Sequence, residues 1–149
     1  MKKLISSLVL IAACHTSTVS SNPAPAAAAS NLPGAVDATS AVRAYLESVE
    51  HQDLQAMGAV WGGPDGPARD LLPREELFQR EVVMMCTLKH DRYDIVGEAP
   101  NPSGGHSIVV NLFSKGDNRA RTFDVVQGPG GRWFVKSVDV KVLTTCGKA

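Results

Sequence analysis

The hydrophobic pattern changes period once along this chain, near residue 90. Upstream of it the apolar positions recur at helical spacing. Val42, Tyr45, Leu46 and Val49 stand at i, i+3, i+4 and i+7, a single stripe with Glu47 and Glu50 turned to water. Asp37 or Thr39 is placed to cap this helix, and Asp53 to cap a second, short one carrying Leu54, Met57 and Val60. Residues 62–67, Gly-Gly-Pro-Asp-Gly-Pro, read as a stop and a loop. Pro73 suits the first position of a third helix, with Glu75 and Glu76 at its positive end. That helix carries two adjoining stripes, Phe78, Val82 and Met85 in one and Leu77, Met84 and Leu88 in the other. Such width predicts a helix covered over much of its circumference.

Downstream the period falls to two. Strands are predicted over 91–98, 106–115, 119–127 and 131–146, with Ile108, Val110 and Leu112 on one face of the second and Phe123 and Val125 on one face of the third. The turns between them, at 100–105, 116–118 and 128–131, are short and rich in Gly, Pro, Asn and Asp, so the strands form an antiparallel meander. The last strand changes phase. Trp133 and Val135 are apolar in one register, Val138, Val140 and Val142 in the other, which predicts an inserted residue, a bulge, near Lys136 and Ser137. The fold class is α+β, three N-terminal helices packed on a curved four-stranded antiparallel sheet.

Composition matters most at the N-terminus. Met1-Lys2-Lys3 followed by apolar residues 4–13 has the form of an export signal, too short for a bilayer-spanning helix of about 20 residues. It ends Leu10-Ile11-Ala12-Ala13-Cys14, which resembles the bacterial lipobox. The resemblance implies a signal peptide over 1–13, palmitate-type acylation of Cys14, and a membrane anchor of more than one chain. Ordinary secretion with cleavage among Ala26 to Ala29 is the alternative. Residues 14–36, the acylated Cys and a Ser, Thr, Ala and Pro stretch, read as a tether, and 37–149 as the folded domain. His15, rather than the Asp associated with inner-membrane retention, points to the outer membrane, periplasmic face. Removing Lys2 and Lys3 leaves 13 basic and 15 acidic residues, a balance that argues against a nucleic-acid partner. Cys86 and Cys146 remain in an oxidising compartment. They flank the meander at the same end of the sheet, so they form one disulfide or stay as two buried thiols.

The helix, polar break, Asp53 and second helix of residues 41–61, AVRAYLESVEHQDLQAMGAVW, with the closing Gly131-Arg132-Trp133, resemble the nuclear transport factor 2-like superfamily, also called cystatin-like or ketosteroid-isomerase-like. The resemblance spans about 38–146. It implies a cone whose helices fill a concave sheet, a pocket between them, and members that dimerise. In the isomerases a tyrosine of the first helix donates to an oxyanion, and Tyr45 falls at the matching place. Their base lies after the second helix, where this chain offers only Asp65 in a Gly/Pro loop.

Read on their own, His90 and Asp94, or His90 and Asp139, offer a proton-transfer dyad at the start of the first strand, against the plainer reading of a solvated strand end. No His or Cys spacing has the form of a metal site, and no cofactor motif is present in the sequence. Trp61, Trp133 and Phe78 are candidate pocket-lining residues, or else core plugs. Arg119 and Arg121 are placed to meet an anion or to decorate an exposed face. The expectation is a lipid-anchored cell-envelope binding or interaction module, non-catalytic, taking a small apolar ligand or an envelope protein. The alternative is an isomerase- or dehydratase-like enzyme using Tyr45 with a nearby acid or His90.

Overall fold

The computed structural model describes residues 32–140 and Cys146. The expected signal peptide, Cys14 and most of the expected tether lie outside the described residues. Helix α1 spans Ala38–His51 and α2 spans Leu54–Val60. Asp37 caps α1, its carboxylate accepting from the Ser40 N–H at 2.7 Å, and Asp53 caps α2 by accepting from the Ala56 N–H at 3.0 Å. Thr39, the other candidate cap, instead donates across to Glu98 at 2.8 Å.

The expected loop at 62–67 folds into a miniature hairpin, β1 (Gly62–Gly63) paired antiparallel with β2 (Gly66–Pro67). Gly66 has φ +127°, a conformation only glycine takes without strain. A one-turn helix, α3 (Ala68–Leu71), follows, so the described residues hold one α-helix more than the periodicity predicts. Four residues are too few to show a period. Helix α4 spans Arg74–Thr87, with Pro73 at its cap and Glu75 and Glu76 in its first turn.

The remainder is the predicted meander. Strands β3 (Arg92–Asn101), β4 (Gly105–Ser114), β5 (Asp117–Gln127) and β6 (Trp133–Val138) form one open antiparallel sheet in chain order. Val125 pairs with Val135 but Asp124 pairs with Ser137, so Lys136 is an extra residue and the predicted bulge is present. Val138 and Val140 are thereby returned to the face that Val135 occupies, and both pack on the core. A second bulge at Val96 in β3 was not foreseen and leaves that valine exposed.

Helix α1 lies across β4, β5 and β6. Its stripe of Val42, Tyr45, Leu46 and Val49 is buried with Met57, Ile108, Val110, Leu112, Phe123, Val125 and Val135. On the opposite face of the sheet Phe134 is also buried. It is covered by the segment before α1: Ala35 exchanges both backbone hydrogen bonds with Trp133, at 2.8 and 2.9 Å, and a methyl group on Gly34 would come within 2.8 Å of the Phe134 ring. Arg132 clasps the same segment, donating to the Gly34 carbonyl at 2.6 Å. Residues 33–35, expected to precede the folded domain, are therefore packed on it.

Helix α4 corrects the sequence reading. It packs on α2 and α3, and it presents Phe78 at 51% exposure and Val82 at 40% instead of burying them. Its inward row is Leu77, Glu81, Met84 and Leu88, in which the acid interrupts the apolar signal. The Cys86–Cys146 disulfide is formed, with Cα atoms 5.8 Å apart.

Deleting Lys136 should rotate Val138 and Val140 off the core and cost about 2 kcal/mol or more. Lys136→Ala should leave stability unchanged. Urea denaturation of the two variants compares them directly.

Candidate functional site

The residues singled out in the sequence do not converge. Tyr45 is 1% exposed and meets Phe123 edge to face, ring centroids 6.1 Å apart. Burial, and then the charge of Glu81, raises its phenol above the ordinary value. His90 is buried with its Nδ1 2.8 Å from the Leu88 carbonyl, to which it donates, and its ring edge against Tyr93. Asp94 points elsewhere, exposed and paired with Arg92 at 2.9 Å. The separation has a local cause. His90 precedes β3, which starts at Arg92, so strand alternation does not apply to it. Among the described residues no three His, Cys, Asp or Glu side chains converge on a point where a metal could sit.

Arg119 is spent on structure. It donates to the Lys89 carbonyl at 2.8 Å and to Thr87 at 3.4 Å, and pairs with Asp117 at 3.1 Å. A cation thus sits against the negative end of α4. The same end carries the disulfide.

The two tryptophans part company. Trp133 is half-buried against the His106 ring, 5.2 Å between centroids, where His106 Nδ1 also meets Glu98 at 2.5 Å. Trp61 caps the C-terminus of α2, bridges to Val135, and forms one wall of an open groove of about 430 Å³. The other wall is α4, through Gln79, Arg80, Val83 and Met84. Trp61 and the two aliphatic side chains make the groove predominantly apolar, with the amide and guanidinium as its polar groups. Arg80 is held by Glu76 one turn earlier, at 2.5 Å. Phe78, the third proposed lining residue, stands on the far side of α4 and does not contribute. Helical geometry explains this: positions 78 and 82 are about 100° or more around the axis from the row that meets α2. A second, polar depression of about 280 Å³ lies at the β4–β5 turn, where Arg92 stacks on Phe113 at 3.9 Å.

Sequence reasoning missed Glu81. Its side chain is 3% exposed at the α2–α4 seam, and Oε1 has no hydrogen-bond partner. Burial raises its carboxyl from the ordinary 4.5 to about 7. The signal that could have found it is an acid in line with Leu77, Met84 and Leu88, facing a glycine on the neighbouring helix.

Comparison with known protein families, with curated proteins and with solved structures finds no match to this chain.

Because the folded state holds the Glu81 proton more tightly than the unfolded chain, the contribution of this group to stability is complete below about pH 4.5. It falls as the pH rises to about 7 and is level above that. Glu81→Gln should remove this fall, measured as the urea midpoint against pH.

Proposed function

We propose that this chain is a non-catalytic binding module that takes a small apolar ligand in the groove between Trp61 and α4. The observation that carries the reading is the composition of that groove. An aromatic wall faces Val83 and Met84, with Gln79 and Arg80 able to orient one polar end. The residues that could have supplied acid–base chemistry are placed otherwise. Tyr45 and His90 are committed to the interior, and Asp94 is in a solvated ion pair. General acid–base catalysis needs the two groups within reach of one substrate proton.

The nuclear transport factor 2-like resemblance is kept as part of this proposal. A helix stripe over an antiparallel meander with a bulged final strand is compatible with it. So is the address. A lipid anchor at Cys14 would hold the module on the periplasmic face of the outer membrane, and the Cys86–Cys146 bond favours an exported, oxidising location.

Two measurements test these readings. In a Trp133→Phe background, Trp61 is the sole tryptophan, and its emission should be quenched on titration with the neutral dye N-phenyl-1-naphthylamine. Val83→Lys should weaken that binding about tenfold. Phe78→Lys, on the far side of the helix, should leave it unchanged. Equal effects of both substitutions would place the dye elsewhere. In cells, the protein should incorporate labelled palmitate and sediment with membranes, and Cys14→Ser should abolish both.

A further inference from the structure

Glu81 stands outside the groove yet joins its two walls. A methyl group built on Gly58 would lie 2.7 Å from Glu81 Oε1 and 3.5 Å from the Leu77 side chain. The carboxyl therefore rests directly on the backbone of α2. Gly58 lies one turn before Trp61, and Glu81 lies between Arg80 and Met84 in the sequence, so the groove's opposite walls approach each other through this contact. We propose that Glu81 is a proton-operated clasp between α2 and α4: neutral, it holds the two helices together and the groove narrow; ionised, it lets α4 swing out and the groove widen. This rests on the reading of the groove as a binding site.

The surroundings of Glu81 favour such a response. From α3, Arg69 brings its aliphatic stem within 3.3 Å of the same methyl position, while its guanidinium turns to Asp70 at 3.8 Å. From α1, Tyr45 presents a neutral phenol whose ionisation Glu81 opposes. On α4 itself, Arg80 is drawn away to Glu76. Among the described residues no cation is paired with Glu81, so its negative charge is uncompensated and must draw in water. Burial holds its titration near neutrality, where such a change is useful. Helix α4 is packed on α2 and α3, while its C-terminal end is pinned by Cys86–Cys146 and by Arg119. Opening is thus a swing about that fixed end, smallest at Thr87 and growing through the Glu81 and Arg80 turn toward Arg74.

The test uses the Trp133→Phe protein, in which acrylamide quenching reports the exposure of Trp61. Quenching should rise about twofold with pH, with a single midpoint near 7, and dye affinity should change over the same range. In Glu81→Gln, isosteric with the neutral acid, quenching should stay low at every pH. A transition that survives in Glu81→Gln, or none in the parent, overturns the clasp. Circular dichroism establishes that the variant is folded. Should it not fold, the carboxyl carbon resonance of Glu81 in the parent decides: a midpoint near 4.5 overturns the clasp, and one near 7 that coincides with the quenching transition upholds it. The two readings fail separately. Dye binding without a transition removes the clasp alone, and a Glu81-dependent transition without dye binding removes the ligand-binding function alone.

Discussion

The attachment of α4 governs this molecule. The helix sits beside the α1 and sheet core, held along its length by α2 and α3 and at its end by a disulfide and an arginine. The Cys86–Cys146 bond closes a loop of 60 residues that contains the sheet, a constraint worth about 4 kcal/mol in the unfolded chain. Arg119 adds a charge-assisted hydrogen bond from β5 to the carbonyl of Lys89, with Thr87 near the same guanidinium. These two ties let a helix with modest apolar burial remain part of the fold. They also leave space between its middle and Trp61, and that space is the groove.

What could be read in the sequence was what depends on near neighbours. The α1 stripe and the Asp37 and Asp53 caps follow from residues within one or two turns. The Lys136 bulge followed from parity alone, since apolar residues on both sides of it must face one core. Strand order put Cys86 and Cys146 at the same end of the sheet, and of the two readings this left open, a disulfide or two thiols, the disulfide is the one formed.

What could not be read was set by distant partners. The stretch Pro33-Gly34-Ala35 looks like tether because its residues are small or turn-forming. Smallness is what lets it lie over Phe134 and pair by backbone with Trp133. The orientation of α4 was misread because its apolar residues outnumber the positions it buries. Phe78 and Val82 are as hydrophobic as Leu77, Met84 and Leu88, and only contacts with distant elements, Gly58 on α2 and the core, leave the first two exposed. The dyad of His90 with Asp94 failed for a similar reason, because His90 lies two residues before the start of the strand, where alternation does not hold.

Glu81 is where these threads meet. A leucine there would continue the row from Leu77 to Leu88 and bury more apolar area, so the acid is not explained by stability. A buried carboxyl without a partner costs about 1–3 kcal/mol even when neutral. The cost is reduced by protonation, which is why burial moves the titration toward 7 instead of excluding the residue. Gly58 completes the arrangement. A methyl group there would lie 2.7 Å from Oε1 and push the movable carboxyl off the helix, so the glycine, at a cost of about 1 kcal/mol of helix propensity, lets the carboxyl rest on the α2 backbone. Two local sacrifices at one helix–helix contact, beside an open apolar groove, make sense if the strength of that contact is meant to vary. A fixed seam would be built from two ordinary apolar side chains.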